Sequence, residues 1–535
     1  MKKFKSLILI LIGILTLTFL VSCDKKANID IINVTPMRTR ISLTIKVDDP
    51  DGIITSGSVS AVIYDSDDDK VSSLTFDELV EDEQTKIFED LEEESTYKIV
   101  VKATVDDKSK TFYSKNFTTT TEGKTKDNAI KVTTKDEFLA IQYDNDAYYS
   151  IENDISFADV AGNNETVEPL FDESTPFMGH IIGNGHKISG ITISSSDVYS
   201  GLFGYLGIGS SIEDLNLADI VLSSTKGTYL YMGALAGCNL GTVKNVKATN
   251  ITISHQGTGT TKQYIGGLLG VNGYIVEGSS VETVKMTLRS RLQSTVGGLI
   301  GSNGGVVQST LNGAYVTNSY AKGVEITTTF VTLNAVDKDT ASNADFLQTT
   351  GGFVGESKIN ITNSYCDAKI TGSSTIIEGS SLDHYMVAVG GFAGRVLNTS
   401  KVENCVSNTT ISYETKDAYT LVAGALIGEV VDSTVKNSFA FLSGDNKVID
   451  TADYIDNEDK DILELFYKDF EVIGRTRSVL TESIAVIDTV GYKLVGTATI
   501  DSTTEGALTI DDAGTTPDVL VLSEGVLAFY NQYNA

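Results

Sequence analysis

The sequence predicts a mainly β protein, in which a small β-sandwich precedes a parallel β-helix solenoid closed by a C-terminal cap. Two observations carry the prediction. A five-residue phrase of small, apolar and small residues occurs seven times: SGLFG (200–204), GALAG (233–237), GGLLG (266–270), GGLIG (297–301), GGFVG (351–355), GGFAG (390–394) and GALIG (424–428). The closing glycines are 33, 33, 31, 54, 39 and 34 residues apart. A period of that size marks a solenoid, because one unit cannot bury its apolar face alone and stacks on its neighbours. Composition agrees: 48 Gly against 5 Pro and no Trp among 535 residues fits strands joined by turns.

Residues 1–22 read as an export leader. Lys2, Lys3 and Lys5 precede an apolar run over 7–20. As a helix those residues span about 21 Å at 1.5 Å per residue, short of the ~30 Å hydrocarbon core of a bilayer. The run is therefore a cleaved signal peptide and not a membrane span. It ends in Leu20-Val21-Ser22-Cys23, which resembles a bacterial lipobox. That resemblance implies diacylglyceryl attachment at Cys23, a tether over 23–27, and a mature chain anchored to the outer side of a membrane, since more than one acyl chain holds firmly. Formal net charge is −30, which disfavours nucleic acid and anionic lipid surfaces as partners. The acidity sits at the ends. Residues 24–123 carry 22 acidic and 12 basic side chains and 441–535 carry 18 and 6, whereas 190–330 carry 7 and 8. Without Cys23, Cys238, Cys366 and Cys405 remain. An odd number argues against a disulfide framework, and buried apolar thiols are expected.

Period-2 runs at 41–47, 59–64, 97–105 and 110–118, separated by Asp/Gly/Ser turns, predict an antiparallel β-sandwich over 28–120. Within it, Leu91 stands six residues ahead of Tyr97, and Phe117 begins a Phe-Thr-Thr-Thr string. Both features resemble the fibronectin type III signature, and the missing tryptophan leaves a general immunoglobulin-like sandwich equally open. The Asp-rich segments at 48–52 and 65–69 are read as solvated turns ahead of calcium sites, because neither has a twelve-residue loop with a closing Glu. A polar linker follows at 121–129.

The solenoid is expected over 130–445. An amphipathic segment at 135–142 and a strand at 148–157 cap its first coil. Most repeats then supply an apolar residue, one polar residue and Asn or Asp, as in Ile212/Asp214, Val243/Asn245, Ile361/Asn363, Val402/Asn404 and Val435/Asn437. Asn tolerates left-handed backbone at a corner. An additional copy, Val316/Asn318, lies inside the 54-residue step and suggests an extra coil there. Together with the string at 177–193, these repeats resemble the GLUG-motif class of β-helices in bacterial surface proteins. The resemblance implies a right-handed solenoid and names no ligand. Polar insertions precede the phrase at 223–228, 255–263, 327–349, 373–383 and 414–418, placing loops along one edge. Tyr229, Tyr231, Tyr264 and Tyr385 border it and are the candidate contact residues for a glycan or protein, or aromatics packing the loop bases. Residues 446–535 read as a C-terminal cap or small β region, with a helical stripe at 456–472.

Glu356 and Glu429 both follow a closing glycine, but Tyr205, Cys238, Val271, Ser302 and Arg395 take that place in the other repeats, and the four histidines sit at a turn or in loops. No zinc spacing, nucleophile elbow or phosphate loop appears. The sequence thus nominates no catalytic residue, metal or cofactor. The leading expectation is a lipid-anchored cell-surface protein used for adhesion or ligand binding. A polysaccharide lyase or hydrolase, and a structural envelope component, are the competing readings.

Overall fold

The computed structural model describes residues 26–76, 82–194, 197–257, 262–290, 293–304, 311–332, 348–376, 385–415, 419–442, 447–450, 473–477, 486–494, 498–500, 507–510 and 519–521. The fold is mainly β. The chain divides into two compact units, Met1–Asn128 and Ala129–Ala535.

In the first unit, strands Asn28–Pro36, Ile41–Asp48 and Gln84–Phe88 form one antiparallel sheet. Lys70–Thr75, Ser60–Tyr64, Thr96–Val105 and Lys108–Thr118 form another. Ile41, Leu43 and Ile45 from the first sheet share a buried cluster with Ala61, Ile63, Ile99 and Val101 from the second. Leu91 and Tyr97 are buried in it, and the Tyr97 hydroxyl accepts from the Glu92 amide at 2.9 Å. The Asp-rich tips cap their own turns. Asp49 accepts from the amides of Ile53 (3.0 Å) and Ile54 (2.9 Å), and Asp65 from those of Asp67 and Asp69 (both 2.9 Å). Among the described residues no group of His, Cys, Asp and Glu is arranged to hold a metal ion.

The second unit consists of long stacked parallel sheets consistent with a β-helix solenoid. One seven-stranded sheet holds the strands that lead into the phrase, among them Leu230–Met232 and Gln263–Gly266. An eight-stranded sheet holds those that leave it, among them Ala236–Asn239 and Leu269–Asn272. A third sheet of 21 strands takes a short and a long strand from most coils. The phrase is the bend between the first two sheets. A Cβ on Gly233 would lie 2.6 Å from Leu268 O of the next coil, and one on Gly237 would lie 2.7 Å from Tyr231 O. The chain therefore turns where its own backbone and the adjacent coil leave no room for a side chain.

The corner residues behave as their chemistry demands. Asp214, Asn245, Asn318, Asn363, Asn404 and Asn437 all have φ between 45° and 54–55°, in the left-handed region. Asn245 donates to Asp214 (2.8 Å) and Asn404 to Asn363 (3.1 Å), tying successive coils. A second left-handed column lies inside the long strands, at Gly190, Asp219, Asn250, Thr283 and Gly323. Thr283 is exposed, β-branched and at φ 56°, a conformation that costs an L-residue roughly 1–2 kcal/mol. Thr283→Gly is expected to stabilise the solenoid by about 1 kcal/mol, seen as a higher urea midpoint at unchanged slope. An unchanged or lower midpoint would show that the strain lies elsewhere.

The cap forms as a helix, Lys135–Leu139, with a Thr134/Glu137 capping box, continuing as a 3-10 turn over Ala140–Tyr143. Its Phe138 packs edge-on to Phe157 (6.1 Å) and Phe203 (6.3 Å). The strand expected over 148–157 is two short ones, Tyr148–Ile151 and Ile155–Ser156. Three other expectations need revision or fall outside view. The 54-residue step holds no extra coil. Thr295 pairs directly with Thr349 and Ile300 with Val354, and Val316 belongs to the coil that starts at Ser294. Insertions, not a further coil, take up the length. The parallel sheets also run past residue 445: Ile473–Arg477 extends the eight-stranded sheet and Val486–Leu494 the largest one. Ala498–Ile500, Ala507–Ile510 and Val519–Val521 form a small antiparallel sheet. The helix expected at 456–472 lies outside the described residues, as do Cys23 and the leader.

Cys238, Cys366 and Cys405 are free and buried. Burial raises the Cys366 and Cys405 thiols to about 12, so almost no thiolate exists at neutral pH. In a Cys23→Ser chain, Ellman's reagent is expected to find no reactive thiol until denaturant is added, and then three. A thiol titrating in buffer would contradict this packing.

Candidate functional site

The bend made by the glycine phrase sets two sheets at an angle, and their outer faces share a narrow seam. Leu230, Met232 and Ile265 point into the main core. The residues between them, Tyr231 and Tyr264, point the other way and join Tyr199, Tyr205, Cys238, Leu240 and Val271 in a separate buried cluster. Strand register lines them up. Tyr199, Tyr231 and Tyr264 are direct partners along one sheet, and Tyr205, Cys238 and Val271 along the other.

The tyrosines form a column of rings. Tyr199 stacks on Tyr231 at 4.8 Å and 14°, and Tyr231 on Tyr264 at 5.4 Å and 3°. Tyr205 meets Tyr199 edge-on at 5.1 Å. Offset and edge-to-face pairs of this kind add roughly 0.5–1.5 kcal/mol each beyond area burial. Burial raises the hydroxyls of Tyr199, Tyr205 and Tyr264, and takes Tyr231 to about 12. All four are neutral phenols, so the aromatic half of the seam carries no charge.

Further along the same two columns the chemistry changes. Val271 is followed by Ser302, Glu356, Arg395, Glu429 and Arg475. Arg395 Nε donates to Glu429 Oε2 at 2.7 Å and its Nη1 to Glu356 Oε2 at 3.3 Å, while Lys358 Nζ holds Glu356 Oε1 at 2.7 Å. Side-chain exposures of 12% for Arg395, 13% for Glu356 and 0% for Glu429 mark a largely desolvated ion network.

The tyrosine column opens at its Tyr199 end onto a cleft of about 600 Å³, lined by Pro169, Phe171, Asp172, Glu173, Ser174, Thr175, Asp197, Val198 and Tyr199. The loop that forms its wall is pinned at both ends, since Leu170 bridges Phe203 and Phe177 bridges Leu206. Asp172 Oδ1 accepts from the amide and hydroxyl of Ser174 (2.8 and 2.6 Å) and of Thr175 (2.8 and 3.1 Å). These bonds hold its carboxyl below the usual carboxylate range. Tyr199 donates to Glu173 Oε2 at 3.1 Å. Phe171 has φ 63°, and its ring packs against those of Phe177 (5.3 Å) and Phe203 (6.3 Å), which also touch each other (5.4 Å).

The four tyrosines named from sequence thus occupy different places. Tyr231 and Tyr264 are the inner rungs of the column, 7% and 8% exposed. Tyr229 stands just ahead of its strand, 47% exposed. Tyr385 begins the strand Tyr385–Gly390, three positions ahead of Ala388, which holds the column position in that coil. Its side chain lies outside the described residues, as do 258–261, 333–347, 377–384 and 416–418 of the insertion loops. Sequence reasoning missed Tyr199, although it precedes the phrase glycine by two residues, as Tyr231 and Tyr264 do. It also missed Asp172 and Glu173, which belong to no repeat and left no periodic signal.

No family model matches this chain, and no solved structure matches it. Over 80 residues the chain is 39% identical to a protein of Evansella cellulosilytica described as a Gly-rich membrane protein, covering 15% of this chain and 9% of that protein. Over 152 residues it is 32% identical to halomucin of Haloquadratum walsbyi, covering 28% of this chain and 2% of halomucin. The chain therefore spans less than a tenth of either relative's length.

Proposed function

We propose that this chain is an exported cell-surface protein, lipid-anchored through Cys23, whose solenoid serves as a scaffold for binding a glycan or protein. In this reading residues 28–120 form an immunoglobulin-like β-sandwich that spaces the solenoid from the membrane. The solenoid is a right-handed β-helix of the GLUG-motif class. One observation carries the binding role: a rigid column of tyrosines ends at an open cleft whose wall is a doubly pinned loop of carboxylates and hydroxyls. Concave sites with an apolar body and a few fixed polar groups are where ligands are held. The surface placement draws on the lipobox-like Leu20–Cys23 segment and on the partial similarity to a Gly-rich membrane protein and to halomucin.

Screening the mature chain against glycan and extracellular-matrix protein arrays tests the reading. Saturable binding without turnover is expected. Shortened or unsaturated sugar products would replace it with a polysaccharide-active enzyme, and an absence of any binding would favour a structural envelope component. For the anchor, labelled palmitate is expected to enter the wild-type chain in bacteria and not the Cys23→Ser chain.

A further inference from the structure

We infer that Asn312–Gly313 is a spontaneous modification site, at which the folded chain loses a side-chain amide and forms isoaspartate, and that the fold protects the other Asn-Gly pairs. The inference stands apart from the binding role proposed above. Asn-Gly occurs at 184–185, 272–273, 303–304 and 312–313. Asparagine before glycine is vulnerable because glycine has no Cβ to hinder its own nitrogen from reaching the asparagine side-chain carbonyl. In a folded chain two things block that attack: a hydrogen bond that occupies the glycine N–H, and bonds that hold the side-chain amide away from it.

Three of the pairs have both safeguards. Asn272 and Asn303 belong to a fully buried ladder, in which Asn239 donates to Asn272 (2.7 Å), Asn272 to Asn303 (2.8 Å) and Asn303 to Ser357 Oγ (3.0 Å). The N–H groups that would attack are engaged as well, Gly273 with Asn239 O (2.8 Å) and Gly304 with Asn272 O (2.7 Å). Asn184 is exposed, yet its Nδ2 donates to Ser150 Oγ (2.9 Å) and Ile151 O (3.0 Å), and the Gly185 N–H donates to Asp214 O (2.7 Å).

Nothing comparable holds Asn312. It and Gly313 are exposed in a turn ahead of the strand Tyr315–Thr317, and a Cβ on Gly313 would meet open space. Among the described residues neither the Asn312 side chain nor the Gly313 N–H has a hydrogen-bond partner. Gly313 has φ 83°, and the turn is closed by the Ala314 N–H donating to Leu311 O at 3.2 Å. Opening it breaks no sheet pairing, so Asn312 reaches the geometry of attack at low cost. The Gly313 nitrogen gives its proton to hydroxide and bonds to Asn312 Cγ; the Cγ–Nδ2 bond breaks and ammonia leaves. Water then opens the cyclic imide. Breaking its bond from nitrogen to Cγ yields aspartate, and breaking its bond from nitrogen to the main-chain carbonyl carbon yields isoaspartate, whose backbone runs through the side chain. Either product adds a negative charge to residues 190–330, where acidic and basic side chains are nearly balanced. Tyr315–Thr317 is paired on both sides, with Ile275–Glu277 and Asn360–Thr362, so the rung stays in place while the turn changes.

Ageing the whole mature chain in mildly alkaline buffer tests this, read by peptide mapping with mass spectrometry and by isoaspartyl methyltransferase labelling. Asn312 is expected to become a mixture of aspartate and isoaspartate with release of an equivalent of ammonia, faster as pH rises, while Asn184, Asn272 and Asn303 keep their amides. In urea all four should convert at comparable rates, because sequence alone then governs them. Asn312→Gln, whose longer side chain disfavours the small ring, should abolish the acidic shift of the aged folded chain on ion exchange. An intact Asn312 in the aged folded chain overturns the assignment, as does equal conversion at all four pairs without urea. Survival of the other three in urea would show that the fold is not what protects them. An Asn312→Gln chain that turns acidic as fast as the wild type would place the reaction elsewhere.

Discussion

Arg395→Met is expected to cost about 3–5 kcal/mol, the range for removing one partner from a buried ion pair. The variant keeps the volume of the stem and strips the charge from between Glu356 and Glu429, the latter fully buried. Two carboxylates would then face each other across the gap, Glu356 still held by Lys358 and Glu429 in register with Arg475 on the next strand. Because each coil of a solenoid touches only its neighbours, the loss should be local. Hydrogen exchange should accelerate first in Val354–Ser357, Ala393–Val396 and Ile427–Val431, before the coils around the tyrosine column respond. A paired variant, Arg395→Met with Glu429→Leu, should recover much of the stability, since a buried ion pair is often replaceable by apolar groups of similar volume. If the single variant loses less than about 1 kcal/mol, solvent reaches the network and screens its charges as at an exposed ion pair.

The glycine that closes each phrase gives the second large effect. In Gly394→Ala the new methyl would stand 2.6 Å from Gly355 O and 2.9 and 3.0 Å from the backbone N and O of Thr350. All three are main-chain atoms inside stacked sheets, so none can swing aside as a side chain would. Overpacking of this kind costs about 3 kcal/mol, and it should show as a lower thermal midpoint and weakened protection in the coils on either side. Gly185→Ala is the informative contrast. That residue has φ +77° and open space around it, so its penalty is the conformational one alone, about 1 kcal/mol. Equal losses in the two variants would mean that the phrase glycines serve backbone flexibility and not close approach.

The solenoid was legible because its physics repeats. A bend that admits no side chain needs glycine in every coil, and a corner in left-handed backbone needs Asn or Asp in nearly every coil. Both requirements print a period that a reader can count. The same logic misled at the 54-residue step, where length was taken for a coil. An insertion adds residues without adding a rung, and only strand pairing tells the two apart. The second left-handed column, with Thr283 in it, left no clear mark because Gly, Asp, Asn and Thr all occupy it. Of the site, the tyrosines ahead of the phrase were visible as residues, but they were read as bordering the outer loops. Their burial in a seam depends on which face of the strand they take and on the angle between two sheets.

From sequence alone, then, came the mainly β character, the stacking period, the bend and corner residues and the buried thiols, since each follows from what one residue type permits its own backbone or side chain to do. Tertiary structure decided the rest: the ring column, the change from phenols to ion pairs along one seam, and the cleft at its head. Those features join residues from different coils, or a repeat and the non-repeating loop at 170–177. Such meetings are set by register and sheet angle, quantities that no single stretch of chain encodes.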